Sequence, residues 1–268
     1  MRSVWASFWG GLIGILGGLI GLGGAEFRLP LLVSWFRFRI LDSIVINLIV
    51  SLITVIFSFI FRTGLIHPER IISHAPIMLN ILAGSLIGSY FGAGFAANVS
   101  QKSLKRVVVI LLLSLSLVLI GHDFIYQNES VHIAPLPRVI IGFVAGLLIG
   151  AVSSTLGVAG GELIIPTVIL LFGIEVKLAG SLSLAISIPT IMVGLAKYHE
   201  RRLLSVIRTQ LSFLGFMSLG SIAGALAGSY LLRYTSGSAL QIFLGTILLV
   251  SAIQLALKNE PAEKLPPA

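Results

Sequence analysis

A ten-residue stretch, Gly21-Leu22-Gly23-Gly24-Ala25-Glu26-Phe27-Arg28-Leu29-Pro30, interrupts a long apolar run with three glycines, two opposite charges and a proline. It has a twin in Gly157-Val158-Ala159-Gly160-Gly161-Glu162-Leu163-Ile164-Ile165-Pro166, and the interval from Glu26 to Glu162 and from Pro30 to Pro166 is the same 136 residues. The surroundings make these breaks informative. Only 10% of the residues are charged, 56% are hydrophobic, and the mean hydropathy is +1.05. Soluble domains carry about 25% charged residues, so this much apolar surface does not fit a water-soluble core. Alternating short segments of the barrel type are absent from the sequence, which leaves an all-α integral membrane protein. Apolar segments broken at corresponding places in two halves are the sequence mark of a transporter's binding site. Two ordinary inter-helix turns are the plain alternative.

The apolar segments run over 4–20, 27–36, 40–61, 71–97, 104–120, 139–156, 163–172, 176–198, 211–232 and 239–257. Eight are long enough to cross a bilayer, which takes about 20 residues. Segments 27–36 and 163–172 are not, since ten helical residues reach about 15 Å. The 136-residue offset also pairs Gly10 with Gly146, Gly14 with Gly150, Ser51 with Ser187, and Thr54 with Thr190. It pairs Gly84, Ser85, Gly88 and Gly92 with Gly220, Ser221, Gly224 and Gly228. An internal duplication follows, and the two halves are expected to share a fold. The small-residue stripes Gly84/Gly88/Gly92 and Gly220/Gly224/Gly228 read as faces where helix backbones approach closely. The division expected is a first membrane repeat over 1–121, a connecting loop over 122–137, a second repeat over 138–257 and a polar, Pro-rich tail over 258–268. Each repeat holds a broken, re-entrant hairpin plus three spanning helices.

The net charge of +8 is spread in short basic runs between apolar segments, the pattern of cytoplasmic loops and not of a nucleic-acid surface. If each short segment returns to the side it came from, twelve of the 18 Lys and Arg fall on one side and five, Arg62 among them as a loop charge, on the other, with Arg28 inside the membrane. Both termini are then cytoplasmic, and the halves, with an odd number of crossings each, are inverted relative to one another. The first apolar segment reads as a retained helix and not a cleaved leader. Trp5, Trp9 and Trp35 suit either an interfacial anchor or core packing.

The breaks define the candidate site. Gly23, Gly24, Gly160 and Gly161 allow positive φ and close backbone approach. The helices restarting near Glu26 and Glu162 point their N-termini inward, and free N–H groups with a partial positive charge attract anions. Pro30 and Pro166 are expected within about the first turn. Glu26 and Glu162 have two readings: helix-start capping, or proton exchange during transport, since burial favours a neutral carboxyl. Arg28 also has two. It is an oxyanion ligand facing a cavity, or it is held by an internal salt bridge to Glu26 or Glu162 or snorkels toward the interface. Its counterpart is Ile164, so the symmetry breaks there. Asn47 and Ser51, matched by Ser183 and Ser187, share helix faces that either complete the site or bond between helices. There is no cysteine, no metal spacing among the histidines, and no nucleotide loop. No cofactor, metal or enzyme constellation is expected.

The glycine stretches, each after a Gly-patterned helix and before Pro30 or Pro166, resemble the sulfite exporter TauE/SafE family over roughly residues 4–257. The resemblance implies a plasma-membrane permease for small sulfur-containing anions such as sulfite, driven by an ion gradient. The family commonly has an apolar or small residue after the glycines, where this chain has Glu26 and Arg28. The expected function is proton-coupled, alternating-access transport of a small oxyanion. The partners are that anion, protons or another coupling ion, and the lipid bilayer, in the cell inner membrane. A passive anion channel, a cation/proton exchanger using Glu26 and Glu162, and a non-transport membrane protein are the alternatives.

Overall fold

The computed structural model describes residues 2–95, 109–110, 112–117, 120, 134–200 and 205–257, and every regular element among them is helical. In chain order these are α1 (Arg2–Leu16), a π-helical turn (Gly17–Gly21), α2 (Ala25–Ser34), α3 (Ile40–Thr63), α4 (Pro68–Ser73) and α5 (Ala75–Phe95). After them come α6 (Pro135–Leu156), α7 (Gly161–Phe172), α8 (Val176–Glu200), α9 (Ser205–Thr209), α10 (Leu211–Leu231) and α11 (Gly237–Leu257). Residues 109–110, 112–117 and 120 are helical as well. Most of the expected connecting loop, much of segment 104–120 and the polar tail 258–268 lie outside the described residues.

Among the described residues, six helices are long and apolar enough to cross a membrane: α1 with its π turn, α3, α5, α6, α8 and α10. The two expected short segments are α2 and α7, of 10 and 12 residues. The small helices α4 and α9 were not expected. They sit at matching places, each just before a small-residue helix, and α4 starts with proline at its first position, where the missing N–H is harmless.

The helices pack across the two halves. α1 lies along α10, α5 lies along α6, and the central α3 and α8 touch each other. Glycine makes these pairings close. A Cβ at Gly88 would collide with the carbonyl of Leu147, and one at Gly224 with the carbonyl of Gly11. The same exchange relates Gly84 on Phe143 to Gly220 on Ser7, and Gly10 on Met217 to Gly146 on Ile81. These close approaches between the halves come in pairs with the roles reversed, 136 residues on. A two-fold rotation produces such an isologous pattern. With little hydrophobic drive between helices in lipid, this backbone-to-backbone proximity supplies the association through van der Waals contact. α3 and α8 are the most buried of the six spans, and the breaks meet against them.

Candidate functional site

Each break is built in the same way. α1 relaxes into the π turn and ends in an extended Leu22, while α6 ends on Gly157 at φ +69°. The next helices are both entered through a left-handed glycine, Gly24 at φ +67° and Gly160 at φ +77°. Only glycine takes that conformation without cost. Glu26 and Glu162 then occupy the first turns of α2 and α7. Pro30 and Pro166 lie one turn later than expected, at the sixth residue of each helix. There the missing N–H matters. It removes the bond to the carbonyl four residues back, which is that of Glu26 in α2 and of Glu162 in α7. The prolines thus free one carbonyl next to each carboxyl.

The two breaks touch. A Cβ at Gly23 would collide with the Cβ of Ala159, its own repeat counterpart. One at Gly161 would lie 3.3 Å from the Gly21 carbonyl and 3.1 Å from Ser183 Oγ. Gly21 presses on the backbone of Gly180 in α8, as Gly157 presses on Ile44 in α3. Asn47 ties the crossing together. Its Nδ2 donates to the Ala25 carbonyl at 3.0 Å, at the start of α2, and to the Gly157 carbonyl at 2.9 Å, at the end of α6.

Arg28 is wholly buried. Its guanidinium donates to Ser51 Oγ at 2.8 Å and Thr54 Oγ1 at 3.3 Å, with a longer contact to Asn47 Oδ1 at 3.5 Å. These acceptors stand on one face of α3, three and four residues apart. The internal salt bridge, the alternative reading of Arg28, is not formed: among the described residues the ion pair within 4 Å joins Arg70 to Glu175, at 3.3 Å on the surface. One oxygen on each carboxyl, Glu26 Oε1 and Glu162 Oε2, is buried without a hydrogen-bond partner, as is Arg28 Nε.

The second half repeats the cradle without the cation. Ile164 is fully buried where Arg28 would stand, with Ser183 and Ser187 also buried. Ser183 Oγ has no partner. Thr190, the counterpart of Thr54, turns to α5 and pairs with Ser85 Oγ at 2.9 Å. The structure therefore brings Gly23, Gly24, Glu26, Arg28, Asn47 and Ser51 to one crossing with Gly160, Gly161, Glu162 and Ser183.

Arg62 was expected among the loop charges. Instead it is 1% exposed. Its guanidinium donates to the π-turn carbonyls of Gly18 at 3.2 Å and Leu19 at 3.4 Å, to the Lys177 carbonyl at 2.6 Å and to Ser181 Oγ at 3.1 Å. Helix carbonyls released by the break are thereby satisfied inside an apolar region. The second half does the same with Tyr198, whose hydroxyl donates to the Ser154 carbonyl at 3.2 Å. Both residue pairs, Arg62/Tyr198 and Gly18/Ser154, are 136 apart. That alignment was the available signal.

Comparison with known proteins places the chain in a family. The sequence model of the family described as Sulfite exporter TauE/SafE matches residues 1–119 and 135–268. A protein of Methanocaldococcus jannaschii named as a probable membrane transporter protein is 30% identical over 202 residues, covering 70% of this chain and 69% of its own length. No solved structure matches. With six helices among the described residues fit to cross a membrane and a family match over nearly its whole length, the chain is a multi-pass membrane protein that belongs to the TauE/SafE family of membrane transporters.

Proposed function

We propose that the chain is a secondary transporter of a small oxyanion, sulfite or a related organosulfur anion, coupled to protons and working by alternating access. The observation that carries the reading is Arg28: a fully buried arginine with no carboxylate in salt-bridge contact, held only by neutral acceptors where two broken helices cross. A membrane-embedded cation is costly, and Arg28, unlike Arg62, is not spent on freed helix carbonyls. Its planar fork suits an oxyanion, and the starts of α2 and α7 add N–H groups and helix dipoles. An entering anion competes with Ser51 and Thr54 for the guanidinium and has Arg28 Nε open to it.

Glu26 and Glu162 carry the protons in this reading. As anions beside an anionic substrate they would oppose binding, and as neutral acids they can donate to it. Their unpartnered oxygens support that role. The same oxygens, with the carbonyls freed by Pro30 and Pro166, also support a second reading, a cation/proton exchanger. We assign the two repeats to 1–121 and 138–257, inverted in the inner membrane with both termini cytoplasmic. Gly23–Arg28, Gly160–Glu162, Asn47/Ser51 and Ser183/Ser187 line the substrate path.

The test is flux of labelled sulfite into proteoliposomes, with and without an imposed pH gradient and with sulfate and a small sulfonate as competitors. Saturable flux that the gradient stimulates is expected. Absence of flux for all three anions in folded protein would overturn the oxyanion assignment. Gradient-dependent movement of a monovalent cation instead would select the exchanger.

A further inference from the structure

Away from the crossing, at the outer ends of α1 and α2, a cavity of about 480 Å³ is lined by Arg2, Trp5, Trp35, Phe36 and Arg37. α2, ten residues long and so about 15 Å, separates it from the crossing, and its lining shares no residue with the candidate transport site. Its lining holds two guanidiniums and no carboxylate. The turn that builds it is strained in a purposeful way. Arg37 is the one non-glycine residue among those described with a positive φ, +53°, a region that side-chain-bearing residues avoid. The consequence is a split of the Phe36-Arg37-Phe38 triplet. Phe36 and Phe38 both turn inward onto the ring of Phe213, at 4.8 and 5.0 Å, while Arg37 is left exposed. Arg2 is fixed from the other side by donating to the Phe36 carbonyl, with its guanidinium 4.7 Å from the Phe38 ring centre.

Two further features identify the occupant. Trp5 and Trp35 stand 6.0 Å apart and are half exposed, at the charged end of otherwise apolar helices; indole prefers that headgroup level of a bilayer. From there Val4, Phe8 and Leu12, four residues apart on α1, are 70%, 55% and 48% exposed and form an apolar strip leading away from the arginines. A free anion has no use for such a strip. We propose that the cavity binds the phosphodiester headgroup of an anionic phospholipid between Arg2 and Arg37, with an acyl chain laid along Val4, Phe8 and Leu12. The unmatched positive lining favours a headgroup with net negative charge over a zwitterionic one.

The chain's three tryptophans, Trp5, Trp9 and Trp35, all belong to this cluster, so native fluorescence reports on it directly. The full chain is reconstituted in phosphatidylcholine vesicles containing a small fraction of brominated phosphatidylglycerol or, in a parallel set, brominated phosphatidylcholine. Quenching by the anionic lipid is expected at an approximately tenfold lower mole fraction. The double variant Arg2→Gln/Arg37→Gly is expected to lose that preference. Arg37→Gly alone, in which glycine is at ease at this φ, is expected to lose part of it with an unchanged thermal midpoint. Equal quenching by both lipids in the unmodified chain overturns the proposal. So does a preference that survives the double variant, or displacement of the brominated phosphatidylglycerol by millimolar inorganic phosphate, which would mark a free-anion site.

Discussion

Arg28 was legible in the sequence as an anomaly, an arginine inside an apolar run. Its neighbours were legible only through the internal alignment that singled out Asn47, Ser51 and Thr54. What the sequence left open was which partner it takes, because the choice between a carboxylate and three neutral groups depends on how α2 rotates after Gly24. If Arg28 is the substrate's ligand, Arg28→Gln loses charge-assisted hydrogen bonds worth about 1.5–3 kcal/mol. The half-saturation for sulfite should then rise by at least about tenfold in proteoliposome flux, with Arg28→Lys falling between. Glu162→Gln is expected to abolish stimulation by a pH gradient while leaving exchange down the anion gradient. Unchanged gradient dependence would leave Glu162 with helix-start capping alone. Arg62 was misread because a lone arginine at the end of a long apolar run looks like a boundary marker. Replacing it by Leu strands the carbonyls of Gly18, Leu19 and Lys177 in the interior. At about 1–3 kcal/mol per unsatisfied buried group, the thermal midpoint in detergent should fall by roughly 5–10 °C or more. A Tyr198→Phe variant, losing one neutral donor, should cost far less.

At the scale of the element, the half-helices α2 and α7 are the parts the sequence described best. Their glycine entries, acidic first turns and short lengths all follow from local chemistry. The position of the prolines did not, because the start of each helix is set by the left-handed glycine and not by the proline. The glycine stripes were also readable, yet their partners were not, since a small-residue face says that something comes close without saying what. The structure answers with α5 against α6 and α10 against α1. Valine at Gly88 or at Gly224 would collide with a carbonyl of the facing helix. We expect each variant to lower stability by a similar amount, by about 2 kcal/mol or more as overpacking does, read as earlier thermal unfolding in detergent. A large effect at one site and none at the other would show that the two helix pairs are not mechanically equivalent.

For the whole molecule, the 136-residue interval predicts more than sequence likeness, because it also predicts contacts. Gly23 meets Ala159, its own counterpart, and the close approaches elsewhere come in exchanged pairs. Which way the halves face in a bilayer rests on charge counting, and burial of Arg62 removes one charge from the smaller side of that count. Reporter fusions at either end should both give the cytoplasmic signal; opposite signals would refute an even number of crossings. The exchanged packing also bears on how the protein is made. Ser221 Oγ donates to the Gly10 carbonyl across 211 positions, so α1 emerges from the ribosome long before α10 exists to receive it. At synthesis rates of about 5–20 residues per second, the first helix waits some ten to forty seconds in the membrane with its glycine face uncovered. A nascent chain stopped before α10 should therefore be held by insertion factors or degraded, and the final helices to be inserted are the ones that close the first.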